Sequence, residues 1–225
     1  MANIEENVKK LLTEIPERNP QGEEVTLVAA VKMQTPEDIN RAIRAGVRAI
    51  GDNHMQEFKQ KYDLIEGGAE RHFIGHLQTN KVKYLIGKVQ LYHSVDRFNL
   101  AEELSRRSAA AGVASNILVQ INIGNEESKG GFELEEASAA VEKIAALPAL
   151  NVQGLMAMLP LTDDECELER LAGLMREKYD ALRASCPSFR YLSMGMSGDW
   201  KLCVNCGSNM IRLGTSIFGA RHYNK

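Results

Sequence analysis

Basic charge is not in excess in this sequence: 27 lysines and arginines stand against 30 aspartates and glutamates, a formal net charge of −3 over 225 residues. With no cluster of cations either, the chain lacks the electrostatic footprint of a nucleic-acid or anionic-membrane binder. No run approaches the roughly 20 apolar residues that span a bilayer, and the opening MANIEENVKKLLTEI has no secretory apolar core. These absences predict a cytoplasmic protein with neither nucleic acid nor membrane as a partner. Cysteine is sparse, and Cys166, Cys186, Cys203 and Cys206 lack the spacing of a disulfide scaffold. Cys203 and Cys206 form a lone C-x-x-C pair without a second pair or a redox context, and read as ordinary thiols. No linker or shift in composition divides the chain, so residues 1–225 are expected to fold as a single domain.

What the chain does have is 44% hydrophobic residues, enough for a substantial core. After a helix expected over about 2–14, strand-like apolar runs alternate with helical patterns. The strand candidates are LVAAVK (27–32), AIGD (49–52), RHFIG (71–75), VQLYHSV (89–95), NILVQIN (116–122), LNVQGLMAM (150–158), YLSMGM (191–196) and MIRLGTSIFG (210–219). Helical patterns fall at about 36–45, 53–65, 78–87, 97–111, 133–146 and 165–184, with a short one near 199–206. Asp96 is placed to cap one helix and Gly112 to stop it. Continuous apolar strands between amphipathic helices mean a parallel sheet covered by helices. Eight such units predict a closed (β/α)8 TIM-type barrel with an extra N-terminal helix, with an open doubly wound sheet as the alternative.

A barrel of this kind carries its chemistry at the carboxyl ends of its strands, with phosphate often held after strands seven and eight. Lys32 closes the first strand candidate, just before a helix start in which Thr35 can cap, Pro36 suits the first turn, and Glu37 and Asp38 complement the positive helix end. Val28, Ala30 and Lys32 share a strand face, and the two smaller residues leave room beneath the lysine. At the other end of the chain, Gly195, Ser197, Gly198, Gly214, Thr215 and Ser216 offer amides and hydroxyls suited to a dianion. Strands one and eight are neighbours in a closed barrel. A lysine beside a phosphate cup points to a Schiff base with a phosphorylated carbonyl compound, either pyridoxal 5′-phosphate (PLP) or a sugar phosphate in a lysine-dependent aldolase.

The runs VAAVK (28–32), GDNHMQE (51–57), HFIGHLQTNK (72–81), HSVD (93–96), GNEESKGGF (124–132), GLMAM (154–158), LSMGMSGD (192–199) and IRLGTSIFG (211–219) resemble, in order, those of the pyridoxal phosphate homeostasis proteins. That family is similar to the barrel domain of alanine racemase but lacks its second, β-rich domain. The resemblance implies a monomeric PLP-binding protein of vitamin B6 and amino-acid balance, with no established turnover and with PLP-dependent apoenzymes as recipients. It implies that Lys32 holds the cofactor as a Schiff base, that Asn53 flanks the ring, and that Ser197, Gly214 and Thr215 hold the phosphate. Arg212, on the same strand face as Gly214, would point at the pyridine nitrogen and disfavour its protonation. His76, Met194 and Met196 would line the pocket. The chain departs from the family at Val31 and Asp52, where serine and glutamate are usual, and at GDWKLCVNCGSN (198–209).

The remaining features read as structural. His72 and His76 lack a third metal ligand, DDECELE (163–169) reads as a solvated helix start, and Met156 and Met158 as core. Lys129 lies in a loop expected over the barrel mouth. The functional alternative to a non-catalytic carrier is a PLP-dependent racemase, which needs an acid or base on each face of the substrate α-carbon. In alanine racemase the second face is served by a tyrosine from another subunit's β-rich domain, so the resemblance favours the carrier. An aldolase ranks third, because Arg212 has no task with a small triose.

Overall fold

The computed structural model describes residues 3–124, 126 and 130–219. Eight parallel strands close into a barrel in sequence order: β1 Thr26–Ala30, β2 Ala49–Asp52, β3 Glu70–Phe73, β4 Leu91–Val95, β5 Ser115–Ile121, β6 Leu150–Ala157, β7 Tyr191–Ser193 and β8 Met210–Leu213. Strand β8 returns to β1 with Val28 opposite Arg212 and Ala29 opposite Leu213.

Alternation along the strands sorts side chains into two layers. Val28, Ala49, Ile74, Leu91, Leu118, Met156 and Met210 fill the barrel. Their outward neighbours pack under the helices α1 Ile4–Glu14, α2 Pro36–Arg44, α3 Met55–Lys61, α4 Phe98–Ala110, α5 Ala137–Ala145, α6 Glu165–Ser185, α7 Trp200–Asn205 and α8 Thr215–Phe218. Helix α1 is capped by Asn3, whose side chain accepts from the Glu6 N–H. It buries Ile4, Val8 and Leu11 with Leu27, Ile211 and Ile217, so it covers the β8–β1 seam. Asn7 donates to the Ile217 carbonyl at 2.9 Å and ties α1 to α8.

The sequence expectations depart from the structure at element ends. The helix expected over 78–87 is a 3₁₀ helix, Thr79–Tyr84. Leu85 and Lys88 bond back three residues, to Val82 and Leu85, and Gly87 turns the chain at φ +75°. The strand expected to reach Gly219 stops at Leu213, because Gly214 leaves the ladder and the chain coils into α8. Asp96 caps no helix. Its carboxylate is taken by His76 Nδ1 at 2.8 Å and by Arg97, and α4 begins without a side-chain cap.

Candidate functional site

The turn after β1 presents Lys32. Thr35 accepts from the Asp38 N–H at 3.1 Å and Pro36 opens α2, so the chain has four residues, Val31 to Gln34, in which to turn from strand to helix. The turn is tight enough to drive Met33 to φ +62°, a left-handed conformation that costs an L-residue on the order of 1 kcal/mol. Glu57 on α3 holds it there: its Oε2 accepts the Met33 N–H at 2.8 Å and pairs with Lys61 Nζ at 2.8 Å. Lys61 is itself buried and reaches the Val31 carbonyl at 3.4 Å. Burial opposes ionisation of Glu57, but its bonds to Lys61 and Met33 prevail and lower its pKa. Val31 is fully buried in the outer layer, away from Lys32. Lys32 is half-buried, and among the described residues nothing accepts a hydrogen bond from its ammonium group or pairs with it.

Asn53 follows β2, which pairs with β1 at Ala30–Gly51. Its backbone lies so close to Gly75 that a Cβ there would stand 2.1 Å from the Asn53 carbonyl oxygen, so only glycine fits. No described residue holds the Asn53 side-chain amide. On the other flank of β1, a Cβ added at Gly214 would touch the Ala30 carbonyl oxygen at 3.4 Å, which puts the end of β8 against the end of β1. Ser197 Oγ accepts from the Gly214 and Ser216 amides, each at 3.4 Å, drawing the loops after β7 and β8 into one cup, with Thr215 exposed beside it. Two clefts of about 560 Å³ lie nearby without being lined by Lys32 or Arg212: one is lined by Asn53, Glu57 and His76, and the other runs along α1 and α7 and touches Ser197, Gly198 and Ser216.

Arg212 lies inside the barrel, only 5% exposed. Its Nη1 donates to the Ser193 carbonyl at 3.0 Å and to Ser193 Oγ at 2.6 Å, and Nη2 donates to the Ala157 carbonyl at 3.0 Å. Burial lowers its pKa to about 10, so it is still a cation near neutrality. Lys32, Asn53, Ser197, Arg212, Gly214 and Thr215 thus come together where the ends of β1, β2, β7 and β8 meet.

The family model described as alanine racemase, N-terminal domain, matches residues 1–222. The chain is 40% identical over 210 residues to the pyridoxal phosphate homeostasis protein of Aquifex aeolicus, covering 92% of each. The chain belongs to the pyridoxal phosphate homeostasis protein family. The structure of PipY from Synechococcus elongatus with PLP bound matches 96% of this chain and 100% of that one, at 30% identity and a TM-score of 0.82. Alanine racemase of Clostridium difficile, 15% identical, shares the fold: a TM-score of 0.79 over 99% of this chain and 56% of that one.

Within this family frame, one pocket expectation needs correction. Met194 is fully buried among Leu192, Met175 and Cys203 in the outer layer, because Tyr191 and Ser193 take the inward positions of β7. His76 lies beyond the end of β3 with its side chain exposed, and it lines the cleft that also reaches Asn53. Met196 is 39% exposed at the mouth, and Lys129 lies outside the described residues. Cys203 is buried and burial pushes its thiol pKa far up, so it is a packing residue. Met156 fills the barrel and Met158 packs against the same cluster, as expected. Among the described residues, no group of three histidine, cysteine or acidic side chains is placed to hold a metal ion. Sequence reasoning missed the Glu57–Lys61 clamp and the buried pair His72–His93. The i,i+4 spacing of Glu57 and Lys61 was the available signal for the first, and inward strand parity for the second.

Proposed function

We propose that this protein binds PLP at the mouth of the barrel, held covalently through Lys32, and that it stores and delivers the cofactor in vitamin B6 and amino-acid balance without turning over a substrate. The observation that carries the reading is Lys32 itself: a half-buried amine with no partner among the described residues, directed by a strained turn and standing beside the cup of Ser197, Gly214 and Thr215. Reached by solvent and engaged by no described side chain or carbonyl, this amine is available to condense with an aldehyde. The relatives' name and the PLP-bound PipY support the same ligand.

The residues fit the cofactor's parts. The Ser197 hydroxyl and the amides around Gly214 and Thr215 suit a phosphate dianion, and the glycine keeps a side chain out of the cup. The Asn53 amide suits a ring substituent. When bound, PLP supplies an aldehyde that condenses with a primary amine and a ring that withdraws electrons. Arg212, a cation fixed by three carbonyl and hydroxyl bonds, opposes a second positive charge on a ring nitrogen beside it. That weakens the electron withdrawal needed for carbanion chemistry, which suits a carrier. The test is borohydride reduction of the PLP-treated protein followed by peptide mass mapping. A pyridoxyl group on Lys32, lost in Lys32→Ala with the fold retained, is the expected result; an adduct elsewhere, or none, would refute the reading.

A further inference from the structure

The barrel interior holds a chain of polar groups that the binding of a cofactor does not by itself require. Glu70 begins β3, at the end of the barrel opposite the mouth, and its carboxylate Oε2 lies 3.1 Å from His72 Nε2. His72 Nδ1 lies 3.0 Å from His93 Nε2, and His93 Nδ1 lies 3.2 Å from Ser193 Oγ. Ser193 Oγ in turn accepts from Arg212 at 2.6 Å. His72, His93 and Ser193 are no more than 1% exposed, in an otherwise apolar interior of Val28, Leu91, Leu118 and Met210. A buried polar group persists only if its hydrogen bonds are met, and here they can be met in one order. The Glu70 carboxylate accepts only, so His72 must carry its proton on Nε2. Its Nδ1 is then an acceptor, which requires a proton on His93 Nε2. That leaves His93 Nδ1 to accept the Ser193 hydroxyl proton, and Ser193 Oγ to accept from Arg212. Every donor points away from Arg212 and toward Glu70. The reverse order would give the Ser193 hydroxyl proton no acceptor among these groups.

We propose that Glu70, His72, His93 and Ser193 are positioning residues that fix the Arg212 guanidinium: the chain makes Ser193 an obligatory acceptor and so locks Arg212 against β6 and β7. This rests on the proposed PLP site only for what Arg212 then does, which is to hold the ring nitrogen unprotonated. The order itself is a property of the ligand-free protein.

Long-range proton–nitrogen NMR correlation on the ligand-free, ¹⁵N-histidine-labelled protein reads the tautomers directly. Both His72 and His93 should be neutral with the proton on Nε2. A proton on Nδ1 of either ring, or a doubly protonated ring near pH 7, overturns the proposal whether or not PLP binds. A second arm uses protein loaded with PLP labelled at the ring nitrogen. The ¹⁵N shift should lie in the unprotonated range in the parent. His93→Leu, which gives Ser193 no acceptor, should move that shift and weaken PLP binding about tenfold. His93→Asn, whose Oδ1 can stand where Nδ1 stood, should restore the shift. An unchanged shift in both variants would make the chain mere packing and overturn the positioning role.

Discussion

Glu57 accepts the backbone N–H of Met33 at 2.8 Å, across the gap between α3 and the turn that carries Lys32. The same carboxylate oxygen meets Lys61, so one atom joins a strained backbone to a buried cation. Replacing Glu57 by alanine removes a charge-assisted bond and leaves Lys61 buried without its anion. Stability should fall by about 2 kcal/mol, read from urea denaturation. PLP affinity should fall as well, because Met33 would relax and swing Lys32 from its direction. Loss of stability with affinity unchanged would show that the turn holds its shape alone.

The cup should discriminate by charge. Thr215→Ala removes one hydroxyl and should weaken PLP binding by about 1 kcal/mol, more if that bond is charge-assisted. Pyridoxal, which lacks the phosphate, should bind far more weakly to the parent protein and should lose little on the Thr215 substitution. Equal affinity for the two vitamers, measured by titration calorimetry, would put the anion site elsewhere.

Asp52 offers a test by pH. It is 2% exposed, and burial raises its pKa from an ordinary 3.8 to about 6, with attraction from Lys61 and Arg71 too weak to cancel the effect. Between about pH 4 and pH 6 the folded state therefore binds the proton more tightly than the unfolded chain. Ionisation of this group lowers stability as pH rises through that window, and the loss is complete above the folded pKa. Asp52→Asn should gain on the parent by on the order of 2 kcal/mol at pH 7 and by little near pH 4. Urea midpoints at both pH values give the comparison. A gain independent of pH would mean that the asparagine acts through packing.

Binding and turnover should separate. With Arg212 fixed beside the ring, the α-proton of L-alanine or other L-amino acids should exchange with solvent slowly or not at all on the loaded protein. Incubation in deuterated water, followed by mass spectrometry and chiral analysis, reads this. Exchange at about 1 per second or faster would install a racemase-type activity in place of the carrier.

The barrel was legible because its strands are continuous apolar runs between punctuated helices, and the closed order from β1 to β8 follows from that alternation. Lys32 was legible because a lysine between a buried strand and a capped helix stands out against its neighbours. The failures share a cause. Met194 was placed at the pocket by the resemblance, whereas strand alternation turns it outward, the inward face of β7 being that of Tyr191 and Ser193. Asp96 has the right residue type for a cap but its carboxylate meets its neighbour Arg97 and also His76, which only the packed chain brings to it. The same holds for His72 and His93, whose meeting depends on the register between β3 and β4, with His72 opposite Leu91. Local chemistry named candidates; long-range register decided their partners.

The seam between β1 and β8 brings the proposed anchoring amine from one end of the polypeptide and the proposed phosphate cup from the other. During synthesis Lys32 emerges long before Gly214, so the proposed ligand cannot be captured until the last strand has docked. Once captured, it bridges the first and last strands, and any opening of the ring there must break its phosphate contacts. Ligand occupancy should therefore slow amide exchange most at Thr26–Ala30 and Met210–Leu213, the two strands that synthesis separates furthest.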